Sequence, residues 1–245
     1  EGLKKVDYLP NVKLQQENWI GRSEGAFADF KLTNCDESLR IYTTRCDTMF
    51  GVTFMVIAPE HPIIEKYADR INNIAELEAY KAECAKKTEF ERTQLVKDKT
   101  GVRIDGIAAI NPANGKEIPV YISDYVMMGY GTGAIMAVPA HDERDYDFAK
   151  KFGIDIIEVI KGGDISKEAY TGDGEMVNSE FLNGIKTKKE AIDKMLAYLS
   201  EKGIGEKGVQ YKMKDWAFNR QRYWGEPIPI IHCEKCGMVG VPYEE

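Results

Sequence analysis

The segment Gly131-Thr132-Gly133-Ala134-Ile135-Met136-Ala137-Val138-Pro139-Ala140-His141-Asp142-Glu143-Arg144-Asp145 constrains the fold more than any other stretch of the chain. Gly133 to Val138 reads as an apolar strand. Pro139 stops it, because proline has no N–H to give a ladder. Asp142 then stands where an N-cap belongs, ahead of a helix running through Phe148, Ala149 and Phe152. Gly131 and Gly133 permit a ligand to approach the backbone closely. Met136 and Val138 lie two apart and share one strand face. Asp142 and Asp145 fall three apart, on one side of the first helical turn. Spacing alone leaves two readings of these acids open. One is an N-cap with a dipole-compatible acid, worth up to about 1 kcal/mol; the other is a carboxylate that binds an ammonium group.

Elsewhere strand patterns dominate. Ala26 to Leu32 alternates apolar and polar residues, as a half-buried strand does. Leu39 to Thr44 is a second strand, and Phe54 to Ala58 is a third, without alternation and therefore buried on both faces. Pro59-Glu60-His61-Pro62 breaks that run and a helix should follow. Ile74 to Thr88 is rich in helix formers. Asn114-Gly115 between Ile107–Ile110 and Ile118–Ile122 signals a hairpin. Ile154 to Ile160 reads as a further strand. Thr187 to Glu201 reads as a helix with Ala191, Ile192, Met195, Leu196 and Leu199 on one face. Gly203, Gly205 and Gly208 then loosen the chain before Trp216. Strands in hairpins with interspersed helices imply an α+β fold with a mixed or antiparallel, barrel-like β core and surrounding helices.

A chain of 245 residues with 43% hydrophobic and 30% charged residues is long and apolar enough to bury a real core. No apolar run is long enough to span a bilayer, so no membrane partner is expected. Nothing after Glu1 resembles a signal peptide. The absence of an initiator Met suggests a piece of something longer. A net charge of -7 argues against a general phosphate-backbone binder. It leaves room for a short single-stranded RNA end, which is held by stacking and 2′-OH contacts as much as by charge. Five cysteines, of which only Cys233 and Cys236 are close, argue against a disulfide framework, and a reducing cytoplasm fits.

A second segment carries hydroxyl chemistry. Thr43, Thr44 and Thr48 surround Arg45 and Asp47 just past a strand. This is either a strand end with a surface ion pair or a polar wall beside a substrate. Threonine suits the second role because its hydroxyl bonds a ligand while its methyl sets a size limit. With the first segment it supplies small hydroxyls, a cation, a narrow apolar strand and two carboxylates, with no obvious nucleophile. Cys46 has no histidine near it in sequence, although His141 could approach it in space. His141, Asp142 and Asp145 would serve a metal hydrolase, but no three-ligand set with recognisable metal spacing occurs; no metal or cofactor is expected. His232-Cys233-Glu234-Lys235-Cys236-Gly237 is half of a zinc ribbon without its second cysteine pair. Gly131-Thr132-Gly133 lacks the third glycine and later acid of a dinucleotide fingerprint.

Four stretches resemble leucyl-tRNA synthetases of the bacterial type, in register: Ile41 to Pro62 is similar to their threonine-rich region, Tyr130 to Phe152 to their second editing motif, Asn18 to Gly25 to the strand entering the editing domain, and Asp215 to Pro229 to the return to the catalytic core. The family usually has proline where this chain has Cys46, a position that flanks the pocket. No HIGH-like tetrapeptide occurs, and Lys212-Met213-Lys214 only begins to resemble the KMSKS loop, so leucine activation is not expected here. The resemblance implies residues 1–21 as an inbound linker, 22–214 as the editing domain and 215–245 as the exit segment.

It also implies a hydrolase of mischarged tRNA-Leu carrying isoleucine, valine, methionine or norvaline, the second sieve that a synthetase for a small apolar amino acid requires. The partners would be the 3′-terminal adenosine of that tRNA and the remainder of the synthetase chain. Carried over by position, Asp145 would bind the substrate α-ammonium and Thr48 would be the size gate. Thr43 and Thr44 would bond near the ester and the water, and Arg45 would help hold the terminal nucleotide. Tyr130, Met136 and Val138 would line the adenosine and acyl pocket, and Asp142 would support the site. A tRNA-docking module without catalysis is the alternative on the same fold.

Overall fold

The computed structural model describes residues 2–88, 91–92, 100–128, 131–213 and 230–240. The chain divides into two compact units, Glu1–Arg22 with Tyr211–Glu245, and Ser23–Gln210. In the first, helix α1 (Pro10–Ile20) begins with Pro10 at its first position and ends on Gly21, whose φ of 59° gives a left-handed cap. Strands β10 (Ile230–Cys233) and β11 (Gly237–Gly240) form an antiparallel hairpin in the same unit. The segment 214–229, which carries the resemblance to the exit segment, lies outside the described residues.

The second unit is built on a mixed sheet of β1 (Arg22–Leu32), β2 (Ser38–Thr43), β3 (Phe54–Ile57), β4 (Val102–Ile110), β5 (Glu117–Ile122), β6 (Ala134–Ala137) and β9 (Gly205–Tyr211). Its order is β2-β1-β4-β5-β3-β6, with β9 pairing β1. Pairing is antiparallel except between β3 and β5. Alternation in β1 works as read: Ala26, Ala28, Phe30 and Leu32 are buried. All of β3 is buried, with Met55 and Ile57 in the main core and Phe54 and Val56 in a second cluster under helix α4 (Glu143–Phe152). Asn114-Gly115 does lie in the β4–β5 hairpin, with Gly115 at φ 70°. The loop is closed by Asn111 N–H to Lys116 O at 2.8 Å, longer than a two-residue turn.

Helix α4 is capped at both ends. The Asp142 carboxylate accepts the Arg144 and Asp145 N–H groups, and Gly153 supplies the left-handed C-cap. Phe148 and Ala149 enter the second cluster, where Phe148 stacks on Phe54 at 5.0 Å. Helix α2 (Pro62–Lys66) follows the proline break, and helix α3 (Ile74–Cys84) follows in turn. Helix α5 (Lys188–Glu201) buries Ala191, Met195 and Leu199, the stripe expected of it. It packs on a 3-10 turn at Cys46–Gly51.

Three expectations need correction. Among the described residues no ladder joins β2 to β6, the two ends of the sheet path, so the sheet curls until they approach but does not close as a hydrogen-bonded barrel. Ile154 to Ile160 is not a strand. Only β7 (Ile160–Lys161) pairs, with β8 (Glu175–Met176); of the rest, Val159 is buried and Ile154, Ile156 and Ile157 pack partly buried against the core without a ladder partner. The glycines after Gly203 do not loosen the chain, because Gly205 and Gly208 belong to β9. A Cβ on Gly208 would meet the Phe27 ring at 2.4 Å, so glycine is what lets the strand lie against that ring.

Candidate functional site

The two sequence segments come together where β2 and β6 approach without pairing. A cavity of about 380 Å³ opens there, within the usual range for small-ligand sites. Thr43, Thr44, Arg45 and Thr48 line one side, and Met136, Val138, Asp142 and Asp145 line the other. Tyr130 lies outside the described residues.

The threonine wall is held by its own turn. Thr43 Oγ1 accepts the Arg45 N–H at 3.0 Å, which leaves the hydroxyl proton to be donated elsewhere. Thr48 Oγ1 donates to Arg45 O at 2.9 Å, and Thr48 is buried. Thr44 is exposed at the rim. Arg45 Nε and Nη2 both engage the buried Asp47 carboxylate, at 3.0 Å each, so its fork is largely committed and Nη1 remains outside that pair. Asn111 Nδ2 donates to Met49 O at 2.9 Å and ties the turn to the β4–β5 hairpin.

The opposite wall is organised by the helix start. Asp142 is both cap and ion-pair partner: Oδ1 accepts the Arg144 N–H at 2.9 Å, and Oδ2 accepts Arg144 Nη2 at 3.1 Å. Burial raises its pKa, but the guanidinium and the backbone N–H groups outweigh that and hold it below the ordinary carboxylate value. Asp145 turns back along the strand, and its Oδ2 accepts the buried Val138 N–H at 2.8 Å. The two acids thus differ. The N-cap reading holds for Asp142, while Asp145 anchors the end of β6 and faces the cavity. A carboxylate has lone pairs for more than one donor, so the Val138 bond does not exhaust Asp145.

Two reactive candidates are disarmed. The Cys46 thiol is buried and pushed up to about 12, first by desolvation and then by Asp47; it is no nucleophile near neutral pH. His141 is buried and hydrogen-bonded on both ring nitrogens. Nε2 accepts the Val159 and Ile160 N–H groups at 3.0 Å each, so Nδ1 carries the proton and donates it to Tyr170 O at 2.8 Å. Burial lowers its pKa. A metal could take His141 only by displacing these bonds. Among the described residues no group of three His, Cys, Asp or Glu side chains could hold a metal ion. In the other unit, Cys233 and Cys236 sit at the β10–β11 turn, where the Cys236 and Lys235 N–H groups lower the Cys233 pKa.

Sequence reasoning missed Ser23, Tyr42, Ile135 and Arg144 as cavity-lining residues. Arg144 was legible as the residue between two acids at a helix start. Ser23 and Tyr42 reach the cavity only through the pairing of β1 with β2, for which no local pattern exists.

Comparisons with known proteins identify the family. The family model described as leucyl-tRNA synthetase, editing domain, matches residues 17–200. The leucine--tRNA ligase of Alkaliphilus oremlandii (strain OhILAs) is 59% identical over 242 residues, covering 98% of this chain and 30% of that protein. The leucine--tRNA ligase of Elusimicrobium minutum (strain Pei191) is 55% identical over 246 residues, covering 100% of this chain and 29% of that protein. The chain therefore spans under a third of the length of these curated relatives. A crystal structure described as the ternary complex of Agrobacterium radiobacter K84 agnB2 LeuRS, tRNA and LeuAMS aligns at a TM-score of 0.76 and 35% identity, over 99% of this chain and 27% of that one. With a family model matched over most of its length and a cavity built from the segments that carry the resemblance, the chain belongs to the leucyl-tRNA synthetase editing domain family.

Proposed function

We propose that the cavity hydrolyses the aminoacyl ester of mischarged tRNA-Leu, with isoleucine, valine, methionine or norvaline as the acyl group. The observation that carries this reading is the pairing of a buried carboxylate, Asp145, with a wall of threonine hydroxyls across one cavity that offers no competent nucleophile. An aminoacyl ester is already activated. It needs a positioned water and a stabilised oxyanion, and no covalent intermediate.

In this reading Asp145 receives the α-ammonium. Thr43, its hydroxyl proton directed away from the Arg45 N–H, and Thr44 at the rim bond the ester and the water. The Thr48 methyl limits the acyl side chain. Arg45 contributes through Nη1 to the terminal nucleotide, Met136 and Val138 line the acyl and adenosine pocket, and Asp142 holds the helix start in place. Tyr130 takes its part by position in the family motif. The neighbouring ribose hydroxyl of the substrate assists the water. The partners are the 3′-terminal adenosine of the tRNA and the remainder of a cytoplasmic synthetase, with residues 1–21 leading into the domain and 215–245 leading out.

The test is hydrolysis of isoleucyl-tRNA-Leu by the chain, with and without chelator. Hydrolysis in both conditions supports the reading. Loss with EDTA and recovery with zinc would favour a metal hydrolase. Binding without hydrolysis would make the domain a docking module.

A further inference from the structure

We propose that Tyr42 is a stacking platform for the base of the penultimate nucleotide of the substrate RNA, an inference that rests on the function proposed above. Residues 23, 25 and 27 share one face of β1, because strand side chains alternate. Tyr42 stands opposite Phe27 in the β1–β2 register, with ring centroids 5.3 Å apart. Its ring then runs along β1. A Cβ on Gly25 would lie 2.9 Å from Tyr42 Cζ, so the absence of a side chain there lets the ring lie on the strand. At the far end its hydroxyl donates to Ser23 O at 2.8 Å and lies 2.9 Å from Ser23 Oγ. The ring is thus fixed at its root, middle and tip, and it is half-buried at the wall of the same cavity.

The neighbouring Thr43 turns the opposite way, toward the ester site, so Tyr42 occupies the outer rim. With the terminal nucleoside in the cavity, an RNA chain that leaves past Tyr42 lays its next base beside this ring. An aromatic face of fixed orientation is the feature that single-stranded RNA ends use, since every base offers a π-face. The net charge of -7 leaves stacking a larger share of the binding than a basic groove would.

The experiment compares the isoleucyl ester of adenosine, which has no penultimate base, with the isoleucyl ester of cytidylyl-adenosine, on wild type, Tyr42→Phe and Tyr42→Leu. Wild type should prefer the dinucleotide by roughly tenfold in kcat/KM, the scale of one base stacked on one ring. Tyr42→Leu, which keeps an apolar side chain, should erase that preference, and Tyr42→Phe should keep most of it. An equal loss on both esters, or a preference that survives in Tyr42→Leu, overturns the assignment. Failure of wild type to hydrolyse either ester overturns the editing reading itself, and this proposal with it.

Discussion

Asp145 has one job visible in the structure and a second that the proposed function gives it, and two substitutions separate them. Its Oδ2 accepts the buried Val138 N–H at 2.8 Å, and it lines the cavity in which the proposed function puts the substrate ammonium. Asp145→Ala removes both functions. A buried donor left without an acceptor costs about 1–3 kcal/mol, which for a chain of this size lowers the melting midpoint by roughly 5 °C. Asp145→Asn keeps a carbonyl oxygen for Val138 and loses the charge. Its melting midpoint should stay much closer to wild type. Its hydrolysis should still fall, because removing one partner of a desolvated ion pair costs about 3–5 kcal/mol, between roughly a hundredfold and a few thousandfold in kcat/KM. The assay is thermal unfolding beside deacylation of isoleucyl-tRNA-Leu for all three proteins. Asp145→Asn with near-wild-type activity would refute the ammonium role. Asp145→Ala as stable as wild type would refute the structural one.

Buried His141 and half-buried His61 give a pH signature. His141 and His61 both have pKa values lowered, first by burial. For a depressed pKa the stabilisation is complete above the unfolded value of about 6.5 and is lost as pH falls toward the folded value. The melting midpoint should therefore drop between pH 7 and pH 5, and His141→Gln should shallow that slope without abolishing it, because His61 remains; an unchanged slope would count against the assignment. Cys46→Ala should retain hydrolysis within a few-fold, since the thiol it removes is protonated and buried. A hundredfold loss in deacylation by that variant would restore the thiol to the mechanism.

Much of this architecture was readable along the chain. Alternation exposed the inner face of β1, uniform apolarity marked β3 as covered on both sides, and Asp142 announced α4 at the position where it caps it. These signals are local, and local geometry decides them. What stayed hidden depends on contacts between distant segments. Periodicity does not say whether β2 and β6 bond or only approach, and the cavity exists because they only approach. The isoleucine-rich stretch before Ile160 resembles a strand because packing against a core calls for the same apolar residues whether or not a partner strand exists. Gly205 and Gly208 read as breakers, although both sit in β9, Gly205 against the Phe27 backbone and Gly208 against its ring. Of the site, the threonine wall and the two acids were legible as motifs. The Arg45–Asp47 ion pair was one of the two readings of that segment, although Asp47 is buried rather than at the surface. The anchoring of Asp145 to Val138 and the double engagement of His141 were not legible, since each is a choice among partners made only in three dimensions.

The central claim is that this cavity cleaves wrong aminoacyl esters and spares the right one, and the size gate tests it most directly. Thr48 is buried, lines the cavity and donates to Arg45 O at 2.9 Å. Thr48→Ala removes both branches of the side chain; Thr48→Val keeps the bulk and loses the hydrogen bond. Rejection by clash should disappear only in the first. The measurement is hydrolysis of leucyl-tRNA-Leu and isoleucyl-tRNA-Leu by wild type and both variants. Wild type and Thr48→Val should cleave the isoleucyl ester and spare the leucyl one. Thr48→Ala should cleave both, gaining about 1–3 kcal/mol, roughly ten- to two-hundredfold, on leucyl-tRNA-Leu. If all three cleave isoleucyl-tRNA-Leu and Thr48→Ala still leaves leucyl-tRNA-Leu intact, Thr48 is not the gate. If wild type cleaves the leucyl ester as fast as the isoleucyl one, the cavity is not a sieve.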